Sequence, residues 1–557
     1  MRHLLAALLL VTACVPPSGP PKSPPLRSQY PGNLAQARPK TRAERTNFTE
    51  TSHYADVVQF IDSLRVLGAK IEVGAIGKTT EGRDIPFVVA SRPLVKTPIE
   101  AKRLRRPIVY VQANIHAGEV EGKEALQAML RDLLFDDHAN VLDSIILIAV
   151  PIYNADGNER FAPQERNRTE QNGPVLVGTR ANAQGLDLNR DYVKAEAPET
   201  VASLAMFRAW DPDVFVDLHT TDGSYHGYAL TYAASLNPAA MFTTPYTRDT
   251  LLVELRKRMQ ERHDFAVFDY GNFPREQGAP TAWETYDARP RFGTNYYGLR
   301  GRISVLSEAY SHDPFARRVA ATYDFVSELL SFVASDADGV VELAREADNR
   351  TTGWGNDPRS ARQIPIRSSI ASVRSGPIRV EETAHLDDTV RYEAGLARGV
   401  KRTGAVHSVD MPIYDRFTPT LSVPVPYAYA FARDVADSIA RRLVMHGVLV
   451  DQLDQPLDAS VATFTIDSSS TASQQFQKHN ERHLVGSWGA PATRSLPAGT
   501  FVVRLGQPLG ILAMYLLEPA SDDGFVDWNI LDPWASEHTF PVVRIVQPVP
   551  ARLRPAP

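Results

Sequence analysis

Four apolar runs in this chain each deliver groups capable of chemistry at their carboxyl ends. Residues 107–113 lead into His116 and Glu119, and residues 145–150 lead into Asn154-Ala-Asp-Gly157. Residues 214–218 lead into His219, and residues 303–307 into Glu308. In an α/β sheet, ligands bind just outside the carboxyl ends of the strands. Two histidines and two glutamates converging there would make a metal site with a general base.

His-x-x-acid spacing is weak evidence on its own, because short motifs arise by chance. Such pairs include His53/Asp56, His116/Glu119, His219/Asp222 and His385/Asp388. Only His116/Glu119 both follows a strand-like run and precedes a helix-like one. Zinc takes imidazole nitrogen and carboxylate oxygen readily, and a set of two histidines and one glutamate leaves a fourth position for water. His219, at the end of its own strand, is the best third ligand.

The elements that must position these groups alternate. Residues 54–67 have helical apolar spacing, and 70–76 with 84–90 flank a turn-rich stretch that reads as a β-hairpin. From residue 107 to about 335, strand-like runs alternate with helices expected over 121–135, 198–210, 248–262 and 314–333. This pattern predicts an α/β domain, a mixed sheet flanked by helices, spanning 51–345. Beyond it, short β-like runs dominate: 378–380, 462–466, 500–504, 511–517 and 542–546, with one helical stretch at 431–445. Residues 361–557 therefore read as a second, β-rich accessory domain without a catalytic motif.

The 557 residues exceed what one compact core accommodates, which favours two domains. Hydrophobic residues at 43% and charged residues at 22% describe an ordinary globular chain, and with a net charge of −5 no basic stripe points to nucleic acid. At the amino terminus, Arg2 and His3 precede an apolar run, Leu4 to Val11, that ends in Thr12-Ala-Cys14. This describes a secretory leader, 1–13, too short for the about 20 residues that a membrane span requires. Val11-Thr-Ala-Cys14 resembles the lipobox of bacterial lipoproteins, which implies lipidation of Cys14, the single cysteine, and a membrane-anchored protein in the cell envelope, on its periplasmic or extracellular face. A soluble secreted protein is the alternative. Residues 14–50 then form a tether, with eight prolines between 15 and 39.

The order of motifs resembles the zinc carboxypeptidase family of the carboxypeptidase A type. The matching residues are His116 and Glu119, Asn154 to Gly157, Asp187-Leu-Asn-Arg190, Asp217-Leu-His219 and Glu308, over about residues 50–335. The resemblance implies one Zn2+ per chain, held by His116, Glu119 and His219, with Glu308 as general base. It implies that Asp187 hydrogen-bonds His116, and that Asn189 and Arg190 grip the free carboxylate of a peptide substrate. It also implies an arginine that stabilises the oxyanion, for which Arg166 and Arg168 compete and Arg168 is preferred. A tyrosine that caps the substrate is expected among Tyr286, Tyr296 and Tyr297, with Tyr296 favoured. Two departures stand out: Gly118 occupies a position where many members carry an arginine, and Ala155 replaces the usual proline. The expected activity is hydrolysis of the last peptide bond of peptides with a free carboxyl terminus. The rivals are a zinc amidase or peptidase acting on cell-wall or side-chain amides, and a non-catalytic peptide-binding lipoprotein.

Overall fold

The computed structural model describes residues 38–274, 279–357, 362–385, 400–534, 538–549 and 553–556. Cys14, its leader and the proline-rich run up to residue 37 lie outside the described residues.

The site-bearing half is built on eight strands: β1 (Glu72–Lys78), β2 (Asp84–Ala90), β3 (Ile108–Ala113), β4 (Ile146–Val150), β5 (Val214–Thr220), β6 (Leu230–Ala234), β7 (Val267–Asp269) and β8 (Ile303–Ala309). Their spatial order is β1-β2-β4-β3-β5-β8-β6-β7. The four central strands β4, β3, β5 and β8 run parallel, and β2 and β6 flank them antiparallel. Every residue of β3 and β5 is buried, as expected of parallel strands covered on both faces. Alternation along the pleat sends Tyr110, Phe215 and Ile148 to one face, and Val109, Val111, Val214, Val216 and Leu147 to the other.

Helices Glu121–Leu134 and Phe315–Ser335 cover the second face, where Leu126, Met129, Leu130, Phe325 and Leu329 pack. The first face is covered by helix Pro198–Trp210 and also by the C-terminal region. One continuous buried cluster joins Tyr110, Phe207 and Phe215 with Phe431, Leu443, Met514 and Trp528. The β-rich region thus shares a core with the catalytic sheet. It contains its own antiparallel sheet, and its hairpin Arg374–His385/Val400–Tyr414 also pairs with the short strand Trp283–Glu284.

Two expectations from the sequence need correction. Residues 511–517 are not a strand: Gly510–Leu517 is a helix buried all round, and a short uniformly apolar run carries no periodicity to separate the two. Ordered structure also begins before Thr51. Helix Arg42–Arg45 is capped by Thr41 and Glu44; Ala43 is buried, and Glu44 pairs with Arg131 at 2.6 Å.

Candidate active site

Parallel pairing places the ends of β3, β5 and β8 on one edge of the sheet. The register sets Glu308 beside His219, and Asp217 beside both Gln112 and Leu306. After β3 the chain turns sharply through Asn114, with φ of 65°, and closes a tight turn in which Glu119 N donates to His116 O at 2.9 Å. The helix that starts at Glu121 then holds this turn in place.

The ligand atoms of His116, Glu119 and His219 all lie within 4.8 Å of one another, and all three residues are buried. His116 Nδ1 is 3.0 Å from Glu119 Oε1, His219 Nδ1 is 2.9 Å from Glu119 Oε2, and the two Nδ1 atoms are 3.2 Å apart. The far nitrogens meet carboxylates: His116 Nε2 is 2.9 Å from Asp187 Oδ1, and His219 Nε2 is 3.0 Å from Asp217 Oδ2. These carboxylates favour the proton on Nε2 in each ring. Two bare Nδ1 lone pairs then face each other and a carboxylate, an arrangement that repels itself unless a cation is shared between them. Two imidazoles and one carboxylate suit zinc, with a position to spare. Burial opposes charge on Glu119, but His116 and Arg168 outweigh it and hold this carboxyl well below the ordinary range.

The Glu308 carboxyl makes no hydrogen bond or ion pair among the described residues. Burial pushes its carboxyl well above the ordinary range; His219 and Arg168 pull the other way, while Glu119 and Asp222 add to the rise. A carboxyl beside a metal-type cluster can serve as a general base.

Asp187 caps the short turn Leu188–Arg190 by accepting from Asn189 N at 2.9 Å. Asn189 Oδ1 accepts from Gly293 N at 2.8 Å, which leaves its Nδ2 as the donor end. Arg190 lies flat against Phe292, with its guanidinium carbon 3.8 Å from the ring centre. Its guanidinium makes one hydrogen bond among the described residues, to Asn189 O at 2.8 Å, and no ion pair. Burial depresses its proton affinity, with Arg180 and Arg291 adding like charge against the partial relief from Asp187. This is a cation prepared for an anion that the described residues do not supply.

Residues 57–277 match the zinc carboxypeptidase family. That stretch is a zinc carboxypeptidase domain. "Carboxypeptidase 2" of Trichophyton tonsurans is 22% identical over 84% of this chain and 81% of its own length. "Carboxypeptidase D" of Drosophila melanogaster is 30% identical over 28% of this chain and 11% of its own. A solved metallo-carboxypeptidase of Burkholderia cenocepacia aligns at 19% identity over 52% of this chain and 70% of that one, with a TM-score of 0.38. The chain is a peptidase of the hydrolase class, with zinc as the metal its family uses.

The carboxypeptidase fold brings His116, Glu119, His219, Glu308, Asp187, Asn189 and Arg190 to one cleft, but it does not bring Tyr296 there. Tyr296 is 0% exposed, and its hydroxyl sits 2.7 Å from His446 Nδ1, among the packed rings of Tyr192 and Tyr297. Its helix, Gly293–Leu299, turns that face into the core. Of the three candidate tyrosines, Tyr286 is the one near Glu308. Its ring lies 5.2 Å from Phe292 and 5.5 Å from Tyr270, and its hydroxyl, already pushed up by burial, feels Glu308, Asp217 and Arg190.

Arg168 is also placed differently from the expectation. Its Nη2 donates to Thr220 O and Thr221 O at 3.2 and 3.0 Å, and its Nη1 donates to Glu119 Oε1 at 3.1 Å. It braces Glu119 from behind, packed against Gly118, where a Cβ would stand 2.6 Å from Arg168 Cγ. That contact explains the glycine. Arg166 is exposed. The arginine open to the cleft is Arg180, which the sequence reading did not consider. Its side chain is 38% exposed, Nε donates to Asp187 Oδ2 at 2.9 Å, and Nη1 reaches within 3.5 Å of Glu119. Asp217 was quoted in a motif without a role, although its position two residues before His219 on a strand sets both on one face.

Proposed function

We propose that the chain is a zinc-dependent metallocarboxypeptidase that releases the terminal residue of peptides with a free carboxylate. The observation that carries this reading is Arg190, a half-buried guanidinium near the His116–Glu119–His219 cluster that makes no ion pair among the described residues. One zinc per chain would be held by that cluster, where it would polarise the scissile carbonyl and acidify a bound water.

The chain's own groups divide the remaining work. Arg190 and the Asn189 amide take the terminal carboxylate through charge-assisted hydrogen bonds. Glu308 accepts the proton of the attacking water and passes it to the leaving amine. Arg180, held by Asp187 but open to solvent, donates to the oxygen that gains charge as water adds. Arg168 keeps Glu119 ionised and oriented. Tyr286 closes the terminal-residue side of the cleft. Lipidation of Cys14, read from the leader alone, would anchor the enzyme in a bacterial envelope.

The test is release of the terminal amino acid from a panel of N-blocked peptides, each offered as free acid and as amide. The expected result is chelator-sensitive release from free acids and little from amides. Equal cleavage of both forms would contradict the carboxylate-gripping role of Arg190 and favour a general amidase.

A further inference from the structure

The C-terminal region reaches the catalytic cleft through one tight turn. Strands Leu457–Thr471 and Arg482–Trp488 are paired, and the connection between them closes at Phe476–His479. Phe476 N donates to His479 O at 2.8 Å, and His479 N to Phe476 O at 3.0 Å. The two residues between, Gln477 and Lys478, have φ of 50° and 69°. Such a turn favours Asn-Gly, because both central residues sit in the left-handed region. Side chains other than glycine kept in that region indicate a constraint imposed from outside the turn.

The side chain of Gln477 shows that constraint. Its Oε1 accepts the backbone N–H of Asp187 at 2.8 Å. The Asp187 carboxylate is fully engaged: Oδ1 faces His116 Nε2 and Asn189 N, and Oδ2 takes Arg180. Its amide proton needs an acceptor from elsewhere, and a neutral amide supplies one without adding charge beside Arg190. Two residues on, His479 Nε2 lies 3.0 Å from Glu196 Oε2, so the turn ties segment 187–196 at both ends. Arg291 stacks 5.3 Å from the Phe476 ring and pairs with Glu481, fixing the turn to the catalytic half.

We infer that Gln477 is a positioning residue for substrate binding: it fixes the turn at Asp187 from which Asn189 and Arg190 face the terminal carboxylate. The inference rests on the proposed carboxypeptidase reading. Gln477 touches neither the metal-type cluster nor Glu308. Without it, Asp187 can still face His116 through Oδ1, while the backbone that carries Arg190 loses its anchor. The loss therefore falls on carboxylate recognition rather than on the chemical step.

The experiment compares full-length wild type, Gln477→Met and Gln477→Glu for kcat, KM, zinc affinity and melting temperature. Methionine keeps length without the amide oxygen, and glutamate keeps an acceptor oxygen while adding a charge. Gln477→Met is expected to raise KM for free-acid peptides about three- to tenfold, the worth of one hydrogen bond, with kcat and zinc affinity within about twofold. Gln477→Glu keeps the acceptor but adds a charge beside Arg190, so its KM is expected to stay raised while kcat and zinc affinity match wild type. Lys478→Gly, which relieves the turn without touching Asp187, is expected to keep wild-type KM. An unchanged KM in Gln477→Met, or a fall in kcat, zinc affinity and melting temperature together, would overturn the inference. A zinc-loaded wild type that releases no terminal residue from any peptide would overturn the proposed function, and this inference with it.

Discussion

Replacing Asp217 by asparagine keeps the shape of a fully buried side chain and removes its charge. In the structure, Asp217 Oδ1 accepts from Gln112 Nε2 at 3.1 Å, and Oδ2 stands 3.0 Å from His219 Nε2. Asparagine offers one oxygen and one NH2 in the same place. If its oxygen serves Gln112, its NH2 meets His219 Nε2–H; if it serves His219, its NH2 meets the Gln112 amide. The second arrangement buries two donors against each other. The first drives the imidazole proton to Nδ1, the atom facing His116 and Glu119, and so blocks that ligand. Either way the close contact between the Asp217 carboxylate and His219 Nε2 is lost, worth about ten- to a hundredfold in zinc affinity. The assay is a zinc competition titration against a chromogenic chelator, with the thermal midpoint followed in parallel. Zinc affinity within twofold of wild type would refute the idea that Asp217 sets the His219 tautomer.

Further outcomes follow from the same geometry. Glu308→Gln is expected to lower kcat about 10²- to 10⁴-fold while zinc content stays at the wild-type level, checked by steady-state kinetics with metal analysis. Arg180→Ala is expected to cost about 10²- to 10³-fold in kcat, whereas Arg168→Ala is expected to lower the thermal midpoint and weaken zinc binding, because it leaves Glu119 buried without its brace. His263, hydrogen-bonded by Asp324 and Glu328, is raised from 6.5 to about 8. The folded state thus holds this proton more tightly than the unfolded one, so its stabilisation is full below pH 6.5 and is lost as pH rises through about 8. Denaturant midpoints between pH 6 and 9 should decline less in His263→Gln than in wild type. Cys14→Ser is expected to abolish incorporation of labelled fatty acid and to move the protein out of the membrane fraction.

The catalytic framework was legible because each key side chain follows a strand whose apolar run is unmistakable. His219 and Glu308 lie at the ends of β5 and β8, where parallel registry sets them side by side, and the turn that follows β3 brings His116 to the same end of the sheet. What local sequence could not show was direction. Arg168 and Arg180 are both arginines after the Asn154–Gly157 motif; only packing reveals that one points behind Glu119 and the other stays open. Tyr296 and Tyr286 differ in the same way, since a helix face, not spacing, decides which hydroxyl reaches the cleft. The role of Gln477 was beyond reach, because its partner lies 290 residues away in the chain.

The continuous buried cluster between the catalytic sheet and the C-terminal region makes the chain indivisible. Tyr110, Phe207 and Phe215 would be left bare if the C-terminal half were deleted, and Trp528 and Met514 would be left bare if the first half were. Each fragment would expose a wide apolar face and collapse or aggregate rather than behave as a smaller enzyme. Heating the intact chain should therefore give one cooperative calorimetric peak, and a minimal carboxypeptidase cut from it at residue 345 should be insoluble.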